Sequence, residues 1–537
     1  MSARYSVFEY LTLRRKAAVQ TDGYFQGRTT SSLVPCGAIY SPGAPCRMTG
    51  GFLFCIMLVV AQTFFFYDLE TSGLSGRDDR VMQFAGQRTD MNLQPIGDPI
   101  NVLVAVNDDT LPSPDALMVT GITPQQTVAD GYSEAQFAKM LLDDVFTPDT
   151  ITVGFNNIRF DDEFIRHLFW RTFHDPYEWC WKDGRSRWDI LDVVRMTRAL
   201  RPDGIEWPVI DGKASNRLEL LTKVNGIDHL SAHDALSDVT ALIEVTRLIR
   251  DKQTQLYDYL LLMRDKNEVK KLINLDEKIP FVYTSGRYDA QYSKTTVAFP
   301  LTAGKNGNVI VYDLRHDPAQ FIDLNSKELA KKFYASWEER QAEGFVPLPV
   351  KELQYNRAPA VAPLGVLEKS DGWSRISLDS SIINAHKKAL LDAPHFAENI
   401  RSLFESKPEF KKSPDAEAQL YDGFLNDADR MRVQSVSQAN EATLSDMQPS
   451  FQDDRLPPLF LHYKARNFPR TLSADDSAAW EQWRVARIQA QLPQFMKSME
   501  RLAAEELADD KQFILQELQL WLENIAPADL SDASTPE

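Results

Sequence analysis

Thr63-Phe64-Phe65-Phe66-Tyr67-Asp68-Leu69-Glu70-Thr71 is the stretch on which the reading of this chain turns. Thr63–Leu69 is apolar and aromatic, which suits a buried strand. Side chains alternate along a strand, so Asp68 and Glu70 share one face. They close a hydrophobic strand, which puts both carboxylates at the rim of a sheet, where open α/β sheets bind ligands.

Outward from that strand, Val81–Thr89 and Asn101–Val106 read as further strands, and Ser133–Leu142 as a helix opened by a Ser133 cap. Thr150–Phe155 is a short β-rich run. Asp161–Phe173 has helical periodicity, with Phe164, Ile165, Leu168 and Phe169 on one side. Asp189–Leu200 and Arg217–Asn225 read as helices, and Ala235–Ile249 as a strong amphipathic one. This alternation predicts an α/β domain over residues 62–250.

Two further strings join the first. In Gly154-Phe155-Asn156-Asn157-Ile158-Arg159-Phe160-Asp161-Asp162 a β-rich run gives way to a helix starting at Asp161, again a carboxylate at a strand-to-helix junction. In His233-Asp234-Ala235-Leu236-Ser237-Asp238, His233 stands at or just before a helix start and Asp238 one turn in. Hydrolysis of a phosphodiester needs an in-line water and charge at both the attacking and leaving oxygens. Two divalent ions about 3.5–4 Å apart supply that charge. Such ions take hard oxygen ligands, and Asp68, Glu70, Asp161 and Asp238 offer four. A histidine titrates near working pH and can accept the proton of the water. Each motif alone is weak, since most carboxylates are solvated and an Asp at a helix start is commonly a cap. Their order and their placement on these elements carry the reading.

The whole chain sets bounds. Its 537 residues correspond to roughly three domains at about 100–200 residues each. Net charge is −17, so any phosphate partner must bind in a local basic groove. Of four cysteines, Cys36, Cys46 and Cys55 precede residue 60 and Cys180 stands apart. Neither a zinc site nor a disulfide framework fits that spacing, and a reducing, cytoplasmic setting follows.

Residues 1–61 differ from the rest. They are basic, through Arg4, Arg14, Arg15, Lys16, Arg28 and Arg47, and rich in Gly, Pro, Ser and Thr from Gly23 to Gly51. The apolar run from Phe52 is too short for a membrane span, which needs about 20 residues. Residues 1–56 are read as a disordered leader or an upstream start-site artefact, with Met57 as the expected true start. A cleaved signal peptide is the alternative. Residues 251–270 read as helical and charged. Phe281–Tyr283, Thr295–Phe299 and Val309–Leu314 point to a small β-rich domain within 251–407. From 408 to 537 the chain reads helical: Ala418–Asn426, Ala478–Gln491, then Phe495–Ile525, with an acidic tail after Pro527.

The order Asp68-x-Glu70, Asp161, His233-x4-Asp238 resembles the DEDD exonucleases of the His-containing subclass. Longer strings are similar to the bacterial exodeoxyribonuclease I family: Tyr67-Asp68-Leu69-Glu70-Thr71-Ser72-Gly73, Gly121-Ile122-Thr123-Pro124, Asn156 to Asp162, Ser186-Arg187-Trp188-Asp189, Ala199-Leu200-Arg201-Pro202 and Arg217-Leu218-Glu219. Ala418-Gln419-Leu420-Tyr421-Asp422-Gly423-Phe424 and Ala465-Arg466-Asn467-Phe468-Pro469 extend the likeness nearly to the end of the chain.

The resemblance implies an RNase H-like exonuclease domain with a mixed sheet, an SH3-like β-rich domain and a C-terminal helical domain around a groove for single-stranded DNA. It implies 3′→5′ degradation to 5′-mononucleotides, in DNA repair and recombination, by a monomer. Asp68, Glu70, Asp161 and Asp238 would hold two Mg²⁺ ions, with Mn²⁺ able to substitute, and His233 would be the general base. Glu70 and Arg217 would contact substrate at the scissile phosphate, and Arg166, Tyr177, Trp181, Arg195 and Lys266 would lie along the DNA. Arg and Lys track phosphates while Tyr and Trp offer stacking faces. For Tyr177 and Trp181, core packing is the alternative. Arg201 and Tyr259 would bind the acidic tail of single-strand binding protein. Asn216 departs from the pattern, since an aromatic is expected before Arg217. Oligoribonucleases and proofreading subunits need only the first domain, so the length argues against them. A non-catalytic module of this fold would be expected to have lost a metal carboxylate.

Overall fold

The computed structural model describes residues 62–229, 234–406 and 412–526. The expected leader with its start at Met57, the candidate base His233 and the tail after Pro527 lie outside the described residues.

The opening stretch forms strand β1 (Thr63–Thr71), at the middle of a five-stranded mixed sheet. β2 (Val81–Thr89) and β3 (Ile100–Leu103) continue antiparallel on one side. β4 (Thr150–Gly154) and β5 (Ser186–Asp189) lie parallel on the other. Alternation along β1 divides its aromatics between two cores. Phe64 and Phe66 pack with Trp188 of β5 and with Val193, Val239 and Leu242 from the helices Ile190–Leu200 and Ala235–Lys252. Phe65, Tyr67 and Leu69 pack with Phe164, Ile165 and Leu168 of the helix Asp161–Arg171 on the opposite face. Asp68 and Glu70 therefore continue the face that the Ala235 helix covers.

A second sheet is antiparallel throughout: β6 (Phe281–Thr284), β7 (Thr295–Ala303), β8 (Val309–Asp313), β9 (Val350–Leu353) and β10 (Ala360–Pro363), in the order β9-β8-β7-β6-β10. This confirms the β-rich domain. It also carries helices the sequence pattern did not reveal, including Ser326–Phe333, Ser380–Asp392 and Pro394–Glu405. The helical run expected over 251–270 is two helices, Thr254–Leu262 and Lys266–Leu272, the second capped by Asp265.

The C-terminal part is helical, with two corrections. Ala418–Asn426 is not a helix: only a 3₁₀ turn, Ala416–Gln419, forms there. Arg455 Nη1 binds the carbonyls of Gln419 and Gly423 at 2.8 and 3.1 Å, oxygens that a helix would use internally. The expected division between Ala478–Gln491 and Phe495–Ile525 is also absent. One helix runs from Ala474 to Ala503 through Pro493, and the chain breaks before Asp509–Ile525 instead. Buried Ile488, Phe495 and Leu502 hold the helix on both sides of Pro493, offsetting its cost of about 3 kcal/mol.

A buried ionic knot ties this part to the first sheet. Arg80, the residue just before β2, pairs with Glu417 at 2.8 Å and Asp109 at 3.5 Å. Arg466 pairs with the same two carboxylates at 2.6 and 2.8 Å. His462 Nδ1 lies 2.9 Å from Glu417. All five side chains are buried, so the pairs replace water for one another.

Candidate active site

β1 and β4 run parallel, so their C-terminal ends open onto the same edge. At that edge β1 ends in Asp68, Glu70 and a register shift between Glu70 and Thr71. β4 ends at Gly154, where a Cβ would fall 2.5 Å from Asn157 Cβ, so glycine lets the chain turn at once. Asn156 follows with a φ of 75°, and its amide donates to Asp189 Oδ1 at 2.9 Å. That fixed turn delivers Asp161 as the first residue of its helix.

Carboxylate oxygens of Asp68, Glu70 and Asp238 come within 4.8 Å of one another. Asp238 is on the first turn of the Ala235 helix, capped by Asp234. Asp161 is buried and close enough to act electrostatically on both Asp68 and Glu70. Burial, then repulsion from neighbouring acids, pushes Asp68 well above the usual carboxylate range. The same two causes raise Glu70 to about 8. Burial and the adjacent Asp162 raise Asp161 to about 8, against a hydrogen bond from the Leu69 amide. Carboxylate oxygens gathered at this spacing, their acids repelling one another, fit a divalent cation.

His229 is a partner the motif reading missed. Its Nε2 lies 2.5 Å from Asp238 Oδ1, and its Nδ1 lies 3.2 Å from the Thr222 hydroxyl. The His229-x8-Asp238 spacing carries no periodic signal, because His229 lies outside the helix that carries Asp238.

A cleft of about 380 Å³ lies between the first domain and the β-rich one. Arg166, Arg187, Lys266, Lys270 and Arg357 line it, and among the described residues no acidic side chain does. Tyr177 forms part of its wall, with the Arg166 guanidinium 5.9 Å from its ring centre. Of the expected DNA-path residues, Arg166, Tyr177 and Lys266 thus converge. Trp181 is 62 % exposed, which removes the core-packing alternative for it, whereas Trp179 and Trp188 fill the core.

Arg195 lies elsewhere, on the Ile190 helix, where it pairs with Asp192 at 2.7 Å. Gly286 of the β-rich domain packs against its guanidinium. Lys351 joins this second basic group. Its amine donates to Ser285 Oγ at 2.6 Å, and burial pulls it down to about 7. Arg217 caps the helix Leu218–Val224, is exposed, and pairs with Glu219 at 2.5 Å. Asn216 accepts from Arg198 at 3.4 Å. Arg201 binds the carbonyls of Leu200 and Val366. Tyr259 is half-buried, and burial raises its hydroxyl to about 12. Lys270 and Arg357 are basic residues that isolated motifs could not reveal, since only the folded chain brings them to the cleft wall.

The fold and its acidic cluster define a metal-dependent exonuclease, and residues 65–246 match the family model described as Exonuclease. Residues 264–406 match the Exonuclease I SH3-like domain and 414–525 the Exonuclease I C-terminal domain. The chain is 38 % identical to exodeoxyribonuclease I of Escherichia coli K12 over 466 residues, 86 % of this chain and 97 % of that one. Exonuclease I of Methylocaldum szegediense superposes with a TM-score of 0.83 at 38 % identity, covering 87 % of this chain and all of that one. E. coli Exonuclease I in complex with a dA16 oligonucleotide gives 0.82 at 35 % identity, with coverage of 87 % and 100 %. Exonuclease I in a crystal structure of SSB/Exonuclease I in complex with inhibitor CFAM gives 0.79 at 34 % identity, again covering 87 % and 100 %. The chain belongs to the exodeoxyribonuclease I family. No helix among the described residues is long and apolar enough to cross a membrane.

Proposed function

We propose that this protein degrades single-stranded DNA from the 3′ end to 5′-mononucleotides, as a monomer in the cytoplasm, in DNA repair and recombination. The observation that carries this reading is the cluster of Asp68, Glu70 and Asp238 oxygens within 4.8 Å. The basic cleft and the likeness to an oligonucleotide-bound relative support the choice of substrate. Residues 62–250 form the catalytic body. Residues 251–407 and 408–537 complete the groove.

Asp68, Glu70, Asp161 and Asp238 would hold two Mg²⁺ ions, with Mn²⁺ as a substitute. When bound, the cations supply charge that activates the attacking water and steadies the leaving oxygen. His233 accepts the proton of that water. His229 orients Asp238 through their hydrogen bond. Glu70 and Arg217 hold the terminal nucleotide. Arg166, Arg195 and Lys266 take successive phosphates, and Tyr177 and Trp181 stack bases without regard to sequence. Arg201 and Tyr259 receive the acidic tail of single-strand binding protein, a partner suggested by the relative solved with it. An end-labelled single strand, incubated with Mg²⁺ or with EDTA, tests the reading: label at the 3′ end is lost first as a mononucleotide, and only with Mg²⁺.

A further inference from the structure

The Asp161 helix opens with three consecutive acids that face three different parts of the molecule. Asp161 joins the carboxylate cluster. Glu163 pairs with Arg166 at 2.8 Å and with Arg357 of the cleft wall at 3.6 Å. Asp162 is wholly buried, accepts from the Tyr67 hydroxyl at 2.6 Å, and pairs with Arg187 through its other oxygen. Arg187 then extends Nη2 to the Asn356 carbonyl at 3.0 Å, in the segment joining β9 to β10. Arg187 and Asn356 both line the basic cleft.

Tyr67 precedes Asp68, and Asp162 follows Asp161. One guanidinium, through one carboxylate, therefore touches both chain segments that carry cluster residues, and also the wall of the cleft. Neutralising Asp162 alone would need no third contact. We propose that Arg187 is a positioning residue for the hydrolytic site: it holds the Asp68 and Asp161 segments in register with the Asn356 wall. A strand seated in the cleft then meets an assembled carboxylate cluster. This rests on the proposed nuclease function.

The test uses the full chain, with Arg187→Met, Arg187→Lys and the double variant Arg187→Met/Asp162→Asn. The double variant removes the buried carboxylate that the single change leaves unpaired, which keeps the fold intact. Three quantities are read: Mn²⁺ affinity without DNA by electron paramagnetic resonance, oligothymidylate affinity in EDTA, and kcat against KM. Arg187→Met and the double variant should each lose about 10–100-fold in Mn²⁺ affinity and in kcat, the usual effect of removing an outer partner of metal ligands. Arg187→Lys should recover part of both, and DNA affinity in EDTA should change little. The double variant should regain the melting temperature without regaining either loss. Wild-type Mn²⁺ affinity and kcat in the double variant would overturn the proposal, leaving Arg187 as a counter-charge. Loss of DNA affinity alone would overturn it too, leaving a phosphate contact. A wild-type protein that binds Mn²⁺ but spares single-stranded DNA would sink the nuclease reading, while the Mn²⁺ comparison would still judge Arg187.

Discussion

His229 Nε2 lies 2.5 Å from Asp238 Oδ1, so a cluster carboxylate is oriented by a histidine nine residues before it. The Thr222 hydroxyl at 3.2 Å holds the other ring nitrogen. Outer partners of this kind matter at about 10–100-fold in metal affinity or activity. His229→Ala should therefore raise the Mg²⁺ concentration for half-maximal nuclease activity by about that factor. A Mg²⁺ titration of initial rates checks it, and an unchanged midpoint would remove His229 from the site.

The carboxylate cluster makes stability depend on pH in a direction opposite to most acidic groups. Glu70 and Asp161 are raised to about 8, from 4.5 and 3.8. The folded protein thus keeps protons that the unfolded chain has released, and stability falls as pH rises through that window. A divalent cation replaces those protons, so its stabilising effect grows with pH. Melting temperatures in EDTA and in Mg²⁺, taken near pH 6 and about pH 8.5, should diverge at the higher pH. An EDTA curve that is flat or rises across the window contradicts this.

Glu417 is the centre of the ionic knot, bonded to Arg80, Arg466 and His462. Glu417→Ala leaves two buried arginines short of a carboxylate and should cost about 3–5 kcal/mol. Urea unfolding measures it. A loss below about 1 kcal/mol would mean that the knot is no stronger than an exposed pair.

Two substitutions separate stacking from charge in the cleft region. Trp181→Ala should weaken single-strand binding by about 1–3 kcal/mol with no change in melting, because the ring is exposed. Lys270→Ala should lower the slope of log affinity against log salt by about 0.7. Binding in EDTA across a salt series reads both. A Trp181 variant that binds normally, or a Lys270 variant with the wild-type slope, removes that residue from the path.

The sequence was most legible where short-range pattern decides. Alternation along Thr63–Thr71 placed Asp68 and Glu70 on one face, and the fold bears this out, with the Ala235 helix bringing Asp238 to them. The Ser133 cap also appears, as a capping box with Gln136. What stayed hidden depends on contacts distant in sequence. Arg455 reshapes the 416–424 segment from over thirty residues away, and apolar packing overrides the breaking tendency of Pro493. Arg187 reaches Asn356 across two domains. No local window contains both ends of such a contact.

The most direct measurement compares three substrates, a single strand labelled at either end, its duplex and an RNA copy, with the wild type and Asp238→Asn. The expected result is Mg²⁺-dependent loss of the 3′ label from the DNA single strand as mononucleotide, little attack on duplex, and no turnover in EDTA. Asp238→Asn should be inactive yet melt no lower than the wild type, since it relieves repulsion on Asp68 and Glu70. Release from the 5′ end, a preference for duplex, or normal turnover by Asp238→Asn would contradict it.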